Sequence, residues 1–471
     1  MRNPRSPWLV AAFSLGLAAC GGGSSTLTPA PAPVTPAAPA PAPPAAVAGT
    51  VVTPAQMNSE DLNTIFFRAR EGDTITLPAG KYVFNRTLKL SVNNVTVLGA
   101  GNGADPASNT ILSFKDAAET NGLEARFVKT VTLRKFAVED AVGDAIMISN
   151  STDVLMDTVR AEWTTDPVKT SRMAYGLYPV ACDNVTIINS KAIGTRDAGV
   201  YVGQSKNIRV VGNDVYYNVA GIEIENSRNA IVEQNYVHDN TGGILVFALP
   251  GTYRFATNDG TIVRNNRIID NNLPTAANAT GFVTAVPPGT GVMVLASQNT
   301  EVHDNTITKH KTAAVLAISF QATQFAYDPK VYDPHLRGFY AHNNKITDFG
   351  SSPTAEFADP ANLGPLVDGL FAYLKSNNLP QRLPAVVWDG IVDVATGTTG
   401  SQGQGGKYTG NLQVCSKNNV IDTLTVPGQI SYENIDLDLV ALMQGLSSSP
   451  IFPFPERMNC SISMPAVTGL P

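Results

Sequence analysis

Apolar and polar residues alternate in short bursts over 131–346, and the bursts recur at a nearly fixed step. Asp197-Ala-Gly-Val-Tyr-Val-Gly is echoed by Val219-Ala-Gly-Ile-Glu-Ile-Glu and again by Thr241-Gly-Gly-Ile-Leu-Val-Phe. The glycines Gly176, Gly199, Gly221 and Gly243 stand 23, 22 and 22 residues apart. Alternation with period two marks strands, and one unit holds three of them, over 200–202, 208–211 and 215–217. Side chains on a strand point to alternate faces. Val200 and Val202 therefore face inward and Tyr201 outward; one unit later Ile222 and Ile224 face inward, and Glu223 and Glu225 outward. A second series, Asn213, Asn235, Asn266, Asn305 and Asn344, has steps of 22, 31, 39 and 39, so later units carry insertions. Such a period means stacked repeats. Three short strands per unit, each ~4.8 Å from its copy in the next, make a parallel coil. The asparagines have two reasons to recur: stacked amides bond to one another, and Asn tolerates the left-handed turn conformation.

Upstream, 58–70 predicts a short helix capped by Ser59, with Leu62, Ile65, Phe66 and Ala69 on one side. Strands follow within 72–84 and 94–101. The helix, then Gly72-Asp-Thr-Ile-Thr-Leu-Pro-Ala-Gly-Lys-Tyr82, resembles the opening of proteins in the pectate-lyase-like superfamily. That resemblance implies an all-β fold, a right-handed parallel β-helix (solenoid) whose first turn is plugged by an N-terminal capping helix. It also implies an activity among polysaccharide lyases, hydrolases and epimerases, or a non-catalytic role. The coil is expected over 51–350. Beyond it, helical patterns at 359–375 and 432–446, a strand run at 385–394 and a glycine-rich loop at 396–407 predict a mixed C-terminal cap over 351–471, which would cover the open strand edges.

The N-terminus changes the setting. Arg2 and Arg5 precede a short apolar run over 8–17, the pattern of an export signal. Leu17-Ala-Ala-Cys20 resembles the lipobox of bacterial lipoproteins. The resemblance implies a signal peptide over 1–19, lipidation of Cys20, and, with Gly21 next, anchorage in the outer membrane. Residues 20–50 are first Gly- and Ser-rich, then Pro- and Ala-rich, a spacer that cannot build a core. Export permits a disulfide, and Cys415 and Cys460 are the expected pair; Cys182, inside the repeat, reads as a buried free thiol. Only 15% of residues are charged and the net charge is −6, which argues against nucleic acid as a partner. No cofactor motif stands out. Calcium would suit oxygen ligands, but neither an aspartate cluster nor a calcium-binding repeat is present.

Function has to be sought on the outward column after each repeating glycine. It reads Tyr178, Tyr201, Glu223, Leu245 at its first position and Val180, Gly203, Glu225, Phe247 at its second. Insertions at 164–173, 249–260 and 273–289 flank the same strand and predict a groove, with Lys169, Arg172, Tyr253 and Arg254 in its walls. Asp197 and Arg196 sit at the turn into the strand. Aromatic rings, carboxylates and cations in one groove suit a polysaccharide; a docked protein partner is the alternative. Two chemistries fit. Hydrolysis would use paired carboxyls from Glu223, Glu225 and Asp197. β-Elimination from a uronate would use Lys169, Arg172 or Arg254 to stabilise the enolate, with Tyr178 or Tyr201. Tyr178, Tyr201, Phe247, Tyr253 and Arg254 are the expected substrate contacts. Tyr332-Asp-Pro-His335 resembles part of the Asp-Pro-His-Asp box of alginate C5-epimerases, but Leu336 stands at its fourth position. The plainer reading is an Asp-Pro turn.

Overall fold

A computed structural model describes residues 49–118, 121–251, 253–323, 325–352, 372, 375, 376, 378, 382–391, 414–421, 434–437, 451–453 and 458–470. The expected signal peptide, Cys20 and nearly all of the expected spacer lie outside these residues, as do most of the 359–375 helical pattern and the 396–407 loop.

Three short strands make each turn, as in Asp183–Ile188, Lys191–Ile193 and Ala198–Gly203. The next turn repeats them as Lys206–Val211, Asp214–Tyr216 and Ala220–Glu225, each parallel to the copy before it. Strands of the third kind build a sheet that counts 12 strands among the described residues. The other two kinds merge into a second sheet, because Lys129–Glu139 and Thr152–Glu162 run through their shared corner unbroken. The protein is an all-β, right-handed parallel β-helix.

Register holds the interior together. Val200, Ile222, Ile244, Val292, Val315 and Val386 are successive partners and all are buried. Each such side chain stabilises the fold by ~1.5–3 kcal/mol. The repeating glycine has a steric cause. A Cβ on Gly221 would lie 2.6 Å from the Gly243 carbonyl oxygen, and one on Gly243 2.3 Å from that of Gly291.

Polar side chains stack at the three corners. Asn213 Nδ2 donates to Asn235 Oδ1 at 2.9 Å, and the pattern continues through Asn266, Asn305, Asn344 and Asn419. Of the two reasons expected for this ladder, stacking applies directly. The left-handed conformation falls one residue earlier, at Gly212, Gln234, Asn265, Asp304 and Asn343. A second ladder runs Asn218, Asn240, Asn271 and ends on His310. At the third corner the backbone N–H of Cys182 donates to Ser205 Oγ, that of Ser205 to Ser227 Oγ, and that of Ser227 to Asn258 Oδ1. Cys182 is buried and unpaired, and it occupies a rung otherwise held by serine or asparagine.

The N-terminal helix α1, Ser59–Arg68, buries Leu62 and Phe66 completely. Its cap is Asn58 rather than Ser59: Asn58 Oδ1 accepts from the backbone N–H groups of Glu60 and Asp61 at 3.1 and 3.0 Å. Ser59 Oγ instead accepts from the Asn85 backbone. Asn63 stands in for a strand neighbour: its Nδ2 donates to the Thr87 carbonyl and its Oδ1 accepts from the Lys89 N–H, beside the first strand of the 12-stranded sheet, Leu88–Leu90. Past residue 350 the parallel ladders continue. Val386–Trp388 pairs with Ala313–Ile318, and Val414–Lys417 with Arg337–His342. Asn434–Leu437, expected as helix, is a strand paired with Val386–Trp388. A disulfide joins Cys415 to Cys460, tying 458–470 to the Val414–Lys417 strand.

Candidate functional site

The long insertions enter at both corners of the third strand, between Thr152–Glu162 and Leu177–Val180, after Gly242–Phe247, before Thr290–Leu295, and after Ala313–Ile318. They cover its outward face. Leu245, Phe247, Met293 and Leu295 from the sheet pack with Val283, Val286, Phe320 and Tyr332 from the insertions in a second apolar cluster. The outward column is thus buried rather than solvated: Tyr201 is 6% exposed, Glu223 2% and Glu225 7%. Phe247 is fully buried and meets Phe282 edge-on at 5.5 Å. It packs the covering layer and does not line the cavity beneath it.

That cavity has a volume of about 510 Å³. Its sheet side carries Tyr178, Asp197, Tyr201, Glu223 and Glu225. Tyr253, Leu249, Phe282, Phe320 and Phe325 come from the insertions. Tyr175 joins from the strand entrance, with its ring 4.4 Å from Tyr178 and 5.1 Å from Tyr201. Of the expected site residues, then, the structure gathers Asp197, Glu223, Glu225, Tyr178, Tyr201 and Tyr253 around one space. The expected cations do not line it. Lys169 is 80% exposed and 3.9 Å from Asp166, Arg172 is exposed, and Arg254 is paired with Asp183 at 2.6 Å and lies over Phe255. Tyr175, Gln204, Phe282, Phe320 and Phe325 were not singled out from the sequence. Only Tyr175 left a trace there, as an aromatic directly before a repeating glycine.

The carboxyl groups are unequal. Burial raises Glu223 well above the ordinary carboxyl range, and the charges of Glu225 and Asp197 raise it further. Burial also lifts Glu225, to about 7, against hydrogen bonds from Tyr201 and Glu223 that favour its ionised form. Glu223 is accordingly the proton holder of the pair and Glu225 the acceptor. Glu223 Oε2 is buried at the cavity without a hydrogen-bond partner. Asp197 is raised to about 7, first by burial, against the bond from Tyr175, and then further by Glu225; Tyr175 Oη donates to Asp197 Oδ2 at 3.0 Å. Gly203 makes room for Tyr201: a Cβ there would lie 2.2 Å from the Tyr201 hydroxyl. Two turns earlier, burial raises Asp144 to about 6, partly offset by the Tyr175 backbone N–H.

The Asp333 box serves the wall. Asp333 accepts from Arg337 Nε at 2.6 Å and meets His335 Nδ1 at 2.9 Å. Burial opposes ionisation of Asp333, but these partners prevail and hold its carboxyl well below the usual range. Tyr332 Oη donates to the Ala248 carbonyl, pinning one insertion to another. Among the described residues, no three His, Cys, Asp or Glu side chains converge as metal ligands.

The family described as right handed beta helix region matches the chain over residues 87–258 and 160–328, together just over half of it. No curated protein matches. Among solved structures, the A-module of a mannuronan C-5 epimerase from Azotobacter vinelandii is similar at 14% identity and a TM-score of 0.43, over 80% of this chain and 94% of that one. The DFA-IIIase of Arthrobacter chlorophenolicus is similar at 12% identity and a TM-score of 0.43, over 81% and 100%. An alginate lyase from a Paenibacillus species is similar at 13% identity and a TM-score of 0.31, over 63% and 95%.

Proposed function

The chain belongs to the right-handed β-helix family, and on that scaffold we propose that the cavity binds a carbohydrate and hydrolyses a glycosidic bond by carboxyl acid–base catalysis. The unequal Glu223–Glu225 pair carries this reading. Glycoside hydrolysis needs one protonated and one ionised carboxyl flanking the bond. Glu223 holds a proton near neutral pH and presents an oxygen without a protein partner; Glu225 is biased toward its anion by Tyr201 and Glu223. Two residues apart on one strand, they share its outward face, and the hydrogen bond from Glu223 to Glu225 joins them as one acid–base unit. β-Elimination is less well served, since it needs a cation at the forming enolate and none of the described residues lining the cavity is basic. The tyrosine group and the phenylalanine wall offer surfaces for the apolar face of a sugar ring.

The test is a panel of glycans incubated with the purified protein, read for new reducing ends and for unsaturated products. New reducing ends, reduced by about 10²–10⁴-fold in Glu223→Gln, are the expected result. Unsaturated products would turn the assignment to a lyase, and undiminished activity in both Glu223→Gln and Glu225→Gln would remove these residues from the chemistry. Lipid attachment at Cys20 in the cell envelope is proposed from the motif at 17–20. Incorporation of labelled fatty acid in cells, lost in Cys20→Ser, is the expected outcome, and labelling that persists in the variant would refute it.

A further inference from the structure

We infer that the ligand of this cavity is an uncharged saccharide, and that sugars carrying carboxylate, sulfate or phosphate groups are excluded. This rests on the carbohydrate reading above and narrows it. The sheet side of the cavity presents Asp197, Glu223 and Glu225, all at least nine-tenths buried. Ionised carboxylates only accept hydrogen bonds. An anionic substituent also only accepts, so beside Glu225 and Asp197 in their ionised forms it would meet like charge and like polarity. A sugar hydroxyl both donates and accepts. It can give its proton to Glu225 and take one from Glu223 or from a tyrosine hydroxyl.

The other side gives an anion no refuge. Leu249, Phe282, Phe320 and Phe325 are apolar, and burying an unpaired charge against them is costly. The cations nearby do not line the cavity. Arg254, next to Tyr253 on the rim, is bonded to Asp183 and stacked on Phe255. Arg126 and Arg196 act on Asp144, which does not line the cavity. Tyr175, Tyr178, Tyr201 and Tyr253 are all pushed above the ordinary tyrosine value by burial and by neighbouring carboxylates, and stay as neutral phenols.

Calorimetric titration at low ionic strength compares neutral oligosaccharides (gluco-, xylo-, manno- and fructo-oligosaccharides) with oligogalacturonate and oligomannuronate of equal length. The wild-type protein is expected to bind at least one neutral series about a hundredfold more tightly than the uronates. The double variant Glu223→Gln/Glu225→Gln, which cannot turn over the ligand, is expected to narrow that gap to about tenfold or less by gaining uronate affinity. Tighter binding of a uronate than of every neutral series by the wild-type protein would overturn the inference and leave the carbohydrate reading standing. Failure of all glycans to bind would defeat both. The wild-type comparison decides the matter even if the double variant does not fold.

Discussion

Replacing Glu225 by Gln should make the protein more stable at pH 8 and leave it nearly unchanged at pH 4. The Glu225 carboxyl has an ordinary value of 4.5 and is raised to about 7 in the fold, mainly by burial. An unfolded chain releases this proton near 4.5; the folded protein keeps it to about 7. Between those values the folded state binds the extra proton, so stability falls as pH rises through the window and is flat beyond it. Fully ionised, the displaced group costs the fold about 3 kcal/mol. Glutamine has the same shape, can still accept from Tyr201, and carries no charge to desolvate. Urea denaturation of wild type and variant at pH 4 and pH 8 measures the difference. A gain of about 3 kcal/mol at pH 8 with almost none at pH 4 is the expected pattern. A variant that is less stable at pH 8, or shifted equally at both, would show that Glu225 is not a desolvated acid and would take the acid–base assignment with it. A residue kept at such a cost is characteristic of a functional site.

Other outcomes follow from the packing. Gly203→Ala would force the Tyr201 ring off its seat, since the added Cβ lies 2.2 Å from the hydroxyl; turnover measured on the hydrolysed glycan should drop about tenfold or more while the protein still folds by circular dichroism. Asn235→Ala removes the acceptor of the Asn213 backbone and side-chain N–H groups and the donor to the Val210 carbonyl. Chemical denaturation should give a loss of about 3–5 kcal/mol, and a loss under 1 would mean that the ladder is ornamental. Cys182→Ser places the ladder's own residue type on the rung, so stability should stay within about 1 kcal/mol of wild type. The native thiol, raised to about 11 by burial, should resist alkylating reagents until the protein is unfolded.

Much of the coil was legible because its causes repeat. Inward Val and Ile, the glycine that admits a neighbouring carbonyl, and the stacked asparagines each recur at the step of the turn. The site was legible only as a column. Glu223, Glu225 and Tyr201 could be assigned to one face from alternation, but alternation does not say what covers a face. The covering came from non-repeating segments, so Phe282, Phe320 and Phe325 carried no periodic signal. The same gap misplaced the cations: Lys169, Arg172 and Arg254 belong to the flanking segments, and their aim depends on loop paths that no period fixes. Ser59 was expected as the helix cap, but its hydroxyl accepts from the Asn85 backbone, a tertiary contact that the local pattern does not carry.

The corner insertions bear on how such a protein can be altered. Each begins and ends where a strand of the coil has already closed its pairing, so a segment can lengthen, shorten or be exchanged without changing the register of any turn. The carboxyl-bearing floor is written in the repeat and the walls are written outside it. A lineage, or an engineer, can therefore redraw the shape of the cavity by editing walls alone, inheriting the same acid pair each time. The carboxyl-bearing floor and the walls above it are separately heritable.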